Sequence, residues 1–94
     1  MRSRYSAFVL GKVDYLRATW HTSTRPHTLK LDPGQRWLGL TVQRHVQALK
    51  GDPNRALVAF VARSKEGGRA TRLQESSRFV REDGRWYYVD AELL

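Results

Sequence analysis

The chain predicts an α+β domain in which two or three N-terminal helices pack on a curved four-stranded antiparallel meander. Three observations lead there. Apolar residues repeat every three or four positions up to Trp20, the period becomes two from Trp37 onward, and every later connection is short and made of turn-forming residues. Strands joined that tightly must be antiparallel neighbours. Ninety-four residues suffice for one domain with a single core, and residues 1–94 are read as that domain.

Met1, Tyr5 and Phe8 share a helical face, and Gly11 stands where a helix would close in a left-handed residue. This first helix starts without a capping side chain, which reads as a shortened beginning. Val13, Leu16 and Trp20 predict a second helix from about Lys12 to Trp20. Thr24 could cap a brief third helix whose first turn tolerates Pro26, and Asp32-Pro33-Gly34 is a turn. The strands are expected at about Trp37–Leu49, Arg55–Ser64, Ala70–Arg81 and Arg85–Glu92.

Register follows from the hairpins. Asp83-Gly84 between two β-rich runs is a type I′ signal, since that turn needs positive φ at both central residues. It pairs Arg81 with Trp86, Phe79 with Tyr88 and Ser77 with Asp90. A Gly67-Gly68 turn sets Leu73 opposite Ala62 and Glu75 opposite Phe60. Paired residues share a face. Leu73, Glu75, Ser77 and Phe79 therefore look toward the helices, with Phe60, Trp86, Tyr88 and Asp90 beside them, while Arg72, Gln74, Ser76 and Arg78 look away.

Two carboxylates among aromatics are costly unless paired, hydrogen-bonded or hydrated. Glu75 and Asp90 are thus the candidate acid–base groups, with His21 at the end of the second helix as a third. Tyr5 and Trp20 from the helices, and Phe60, Ser77 and Tyr88 from the sheet, are the candidate ligand-binding residues. Each has a plainer role open to it. Glu75 can pair with a helix arginine such as Arg4, Asp90 can reach water at the strand end, and His21 can satisfy the last helix carbonyls.

Composition narrows the classes. With no cysteine, disulfides, thiolate metal sites and thiol nucleophiles are excluded within the chain, and no second histidine stands at ligand spacing from His21. No metal or cofactor is expected. The longest apolar run near the start, Ala7 to Leu10, is too short for a signal or a membrane span, so a cytoplasmic location is expected, with no membrane contact. The net charge of +8 lies mostly in residues 1–47, which hold eight basic and two acidic side chains. Its 13 arginines and four lysines are dispersed singly, which suits an arginine-rich surface better than a nucleic-acid footprint. The outer sheet face, with Leu57, Ala59, Val61, Val80, Tyr87 and Val89, is apolar enough to predict a homodimer.

Across nearly its whole length the chain resembles the YchJ-like family of bacterial proteins. The matching stretches include Met1-Arg2-Ser3-Arg4-Tyr5-Ser6-Ala7-Phe8, Thr19-Trp20-His21, Ser23-Thr24-Arg25-Pro26, Trp37-Leu38-Gly39-Leu40 and Arg72-Leu73 through Asp90. The resemblance implies a nuclear-transport-factor-like (cystatin-like) cone with a pocket between helices and sheet, and it brings no established activity. Such proteins usually carry a cysteine-rich SEC-C segment before the first helix, absent here. Gln74 also stands where the family tends to have histidine.

The expected function is therefore binding of a small-molecule ligand or a partner in that pocket. The enzyme alternative is a small isomerase or dehydratase using Glu75 or Asp90 as base with His21 or Tyr88 as proton partner. The remaining alternative is weak nucleic-acid or ribosome association through the basic helical half. Dispersed arginines contact phosphates without reading bases, so duplex titrations at two salt concentrations should give weak, sequence-independent binding that falls as salt rises. Tight, sequence-selective binding that survives raised salt would overturn this.

Overall fold

The computed structural model describes residues 2–93. Met1 lies outside them. Helix α1 (Arg2–Leu10) and helix α2 (Val13–Ala18) precede strands β1 (Arg36–Gln47), β2 (Arg55–Glu66), β3 (Arg69–Glu82) and β4 (Arg85–Leu93). The strands form one antiparallel sheet in the order β1-β2-β3-β4, the expected meander.

Local chemistry accounts for the helix ends. The amide of Lys12 donates to the Ala7 carbonyl (2.8 Å) and that of Gly11 to Phe8 (3.3 Å), a Schellman closure that requires the positive φ of Gly11. α2 stops two residues short of Trp20, because the chain there has a better partner than another helical turn. Tyr88 donates its amide to the Thr19 carbonyl (2.8 Å) and accepts at its own carbonyl from His21 (2.7 Å). Trp20 thereby forms a parallel bridge to Tyr88, and residues 19–21 cover part of the free edge of β4.

No third helix forms over residues 24–29, which are turn, bend and irregular backbone. Thr24 instead accepts a hydrogen bond from Trp20 Nε1 (3.2 Å) and donates its hydroxyl to the carbonyl of Val89. That bond sits on a bulge. β3 and β4 pair as expected from Glu82 and Arg85 back to Phe79 and Tyr88, but the next pair is Arg78 with Asp90, leaving Val89 extra on β4. The expected Ser77–Asp90 pair is therefore wrong. Ser77 faces Ala91, and Asp90 lies on the outer surface. A bulge shifts every residue beyond it to the opposite face.

The inner face of β2 and β3 is as expected, with Ala62 opposite Leu73 and Phe60 opposite Glu75. Both two-residue turns carry positive φ at both positions, Gly67-Gly68 and Asp83-Gly84. The core comprises Ala56, Val58, Phe60, Ala62 and Phe79 of the sheet beneath Ala7 and the fully buried Leu16 of the helices. Val42 and Tyr88 pack against its Ala56–Val58–Phe79 part.

The outer face offers less apolar surface than its composition implied. Val61 is only 5% exposed within the single chain, and Ala59 is buried beside it. Gln74 of β3 donates to Gln43 of β1 (3.2 Å), a bond that must pass over β2, and Gln43 is the extra residue of a bulge in β1. Leu57, Val80, Tyr87 and Val89 are half-buried.

Replacing Thr24 with valine removes the hydroxyl that holds the β4 bulge. The expected loss is about 1 kcal/mol per hydrogen bond, lowering the thermal midpoint by roughly 4–8 °C for each kcal/mol in a domain of this size. Thr24→Ser should retain most of the stability. Equal midpoints for wild type and Thr24→Val would show that the bulge is held by something else.

Candidate functional site

Arg4 is the centre of the space between helices and sheet. One helical turn before Phe8, it points off the buried face of α1 and is only 4% exposed. Its Nη1 donates to the Leu16 carbonyl (3.1 Å) and to Thr19 Oγ1 (2.7 Å). The guanidinium carbon lies 4.5 Å from the Tyr88 ring centre and 5.2 Å from that of Trp20, and these two rings meet edge to face at 4.9 Å. Cation–π contact offsets part of the cost of burying the charge. Burial lowers the pKa to about 10, so the side chain remains a cation at neutral pH.

Arg4 and Tyr88 divide the interior into two cavities, both lined by this pair. The first, of about 260 Å³, lies toward the Leu73 end of β3. Tyr5 and Phe8 of α1 and Trp20 of the edge segment form one wall, and Trp37 and Phe60 stand beside it. Tyr5 packs edge to face on Trp37, with ring centres 5.8 Å apart. Glu75 and Ser77 of β3 supply polar groups to the sheet wall. The second cavity, of about 330 Å³, lies toward the opposite end of the sheet, between Arg2, Ser3, Tyr15 and Thr19 above and Val58, Phe79 and Trp86 below, with His45 and Gln47 of β1 at its side.

All five expected ligand-binding residues, Tyr5, Trp20, Phe60, Ser77 and Tyr88, line the 260 Å³ cavity together with Glu75. Burial pushes the Glu75 carboxyl above the ordinary glutamate range, and desolvation is the cause. Arg4 forms no ion pair with it. Among the described residues the arginine–carboxylate ion pairs are Arg55–Asp52 and Arg78–Asp90, and Glu82 contacts His21. Tyr88 is likewise pushed up, first by burial and then by the nearby Glu75 charge, so its phenol stays protonated at neutral pH. Ser77 is 1% exposed, and its Oγ is buried without a hydrogen-bond partner among the described residues.

The other two candidate acid–base residues lie elsewhere. The bulge places Asp90 outside, where its carboxylate accepts from Arg78 Nε at 2.6 Å. His21 turns away with the edge segment. The Ser23 amide donates to its Nδ1 (3.2 Å), which leaves the proton of the neutral ring on Nε2, donating to Glu82 Oε1 at 2.8 Å. Neither residue lines either cavity. Sequence reasoning placed Arg4 only as a partner for Glu75 and did not assign Phe8 or Trp37 to the ligand wall. Phe8 follows Tyr5 at helical spacing, which marks it for the same wall, whereas nothing local marks Arg4 as buried.

The comparisons agree with this architecture. Residues 1–91 match the family model described as YchJ, middle NTF2-like domain. A UPF0225 protein of Polaromonas naphthalenivorans is 62% identical over 98% of this chain, and one of Methylibium petroleiphilum is 60% identical over 99%. The chain spans 65% of the first relative's length and 67% of the second's. The solution structure of a SEC-C motif containing protein from Rhodopseudomonas palustris superposes with a TM-score of 0.84 at 29% identity, covering 100% of this chain and 75% of that one. A family match over residues 1–91 and relatives at this identity place the fold in a known lineage: the chain belongs to the YchJ (UPF0225) family, as its middle NTF2-like domain.

Proposed function

We propose that this domain is a binding module that takes one small organic ligand into the cavity between α1 and the inner face of β2 and β3. The observation that carries the reading is the Ser77 hydroxyl, buried at a cavity wall with no partner among the described residues. A buried polar group left unmade costs about 1–3 kcal/mol, and a ligand atom reaching it would recover that loss. At about 260 Å³ the space is near the lower end for small-molecule sites, roughly 300 Å³, and its aromatic lining with a few converging polar groups is typical of them.

Binding is favoured over catalysis by what fails to converge. An acid–base enzyme needs two groups on one reacting centre, and Asp90 and His21 are outside the cavity. The catalytic alternative keeps Glu75 with the Tyr88 phenol, which do share it. It would show as turnover that depends on both groups, whereas a binding module loses only affinity when either is changed.

A screen of aromatic and aliphatic fragments, read by amide chemical shifts, tests the reading. Hits should move Tyr5, Glu75 and Ser77 and leave Glu82 and Asp90 in place. Asp90→Asn should leave binding unchanged. Hits confined to the outer sheet face would overturn the proposal.

Glu75 supplies a second check. Its folded pKa lies above the unfolded value, so its contribution to stability is fully present below the unfolded pKa, near 4.5, and is lost as pH rises through the folded value. Thermal midpoints of wild type should therefore fall relative to Glu75→Gln over that window, with the variant at least as stable at pH 7. An ion-paired glutamate would behave oppositely, costing about 3–5 kcal/mol on substitution by stranding its partner.

A further inference from the structure

The charge balance inside the cone identifies the ligand's chemistry. Arg4 is a buried cation whose partners are all uncharged: a carbonyl, a hydroxyl and two aromatic faces. No carboxylate among the described residues pairs with it. The cavity beyond Tyr88 adds Arg2 and His45 and contains no acid. On the near side the one acid is Glu75, which burial biases toward its neutral form. A protein that buries a guanidinium normally supplies a counter-charge, because an uncompensated buried ion is costly.

Here no described carboxylate is paired with the guanidinium, Glu75 in the same wall included, and a buried cation in a low-dielectric cleft attracts anions. We propose that the occupant is a small organic carboxylate, its anionic group at Arg4 and its apolar or aromatic body against Tyr5, Phe60 and Leu73. The planar fork of arginine matches a carboxylate in two parallel hydrogen bonds. The Nη1 bonds to Leu16 and Thr19 hold that fork in place. Ser77 then donates its free hydroxyl to a second polar atom of the ligand. This inference rests on the reading of the cavity as a ligand site.

The test compares naphthoate with naphthamide, which share size and shape and differ in charge, by titration at low salt with amide shifts of Tyr5 and Ser77 as the reporter of place. Naphthoate should bind about tenfold or more tightly, the scale set by a charge-assisted bidentate contact. Arg4→Gln should abolish the preference. Because that variant removes a buried anchor and can fail to fold, Arg4→Lys, which keeps the charge but not the fork, should reduce the preference without reversing it, and the wild-type comparison stands without either. Equal affinity for the two compounds overturns the carboxylate inference and leaves the ligand site standing. A naphthoate preference that leaves Ser77 and Tyr5 unmoved overturns the inference by placing the contact on surface arginines. Failure of both compounds to bind overturns inference and site together.

Discussion

The guanidinium of Arg4 holds this domain together in a way no apolar side chain could. Its hydrogen bonds reach the end of α2 at Leu16 and Thr19, and its faces meet Trp20 of the edge segment and Tyr88 of β4. One side chain thus ties α1 to three other parts of the chain. A leucine there could fill the volume but could not satisfy the Leu16 carbonyl at a helix end. The same group forms the partition between the two cavities. Architecture and site therefore share one residue.

The bulge at Val89 is the second organising feature. It separates two carboxylates that a regular ladder would have set on one face. Glu75 stays inside, desolvated and pushed toward neutrality, while Asp90 goes outside to an exposed arginine. An exposed pair of that kind contributes about 0–1 kcal/mol, so its value lies chiefly in what it removes from the cavity. With one acid inside rather than two, Arg4 shares its cavity with a single carboxyl, to which it is not paired. Thr24, by accepting from Trp20 and donating to Val89, links this displacement to the segment that closes the edge of β4.

The fold and the inner face of β2 and β3 were determined by sequence alone. Two glycine-containing turns with positive φ set the registers, and the period of two then assigns Leu73, Glu75, Ser77 and Phe60 to one side without any tertiary information. Phe60, Ser77 and Tyr88 meet at one cavity wall for that reason. Register arguments hold only as far as the ladder is unbroken. Asp90 lies beyond a bulge whose extra residue, Val89, accepts from the hydroxyl of Thr24, 65 residues away in the chain. The place of His21 outside both cavities has a related origin: it follows from the edge pairing of Trp20 with Tyr88, a long-range contact with no local signature. Arg4 depended most on tertiary structure, because a helix arginine is by default a solvated group. Only when α2, the edge segment and β4 close around it do carbonyl, hydroxyl and aromatic faces assemble into an environment that can bury its charge.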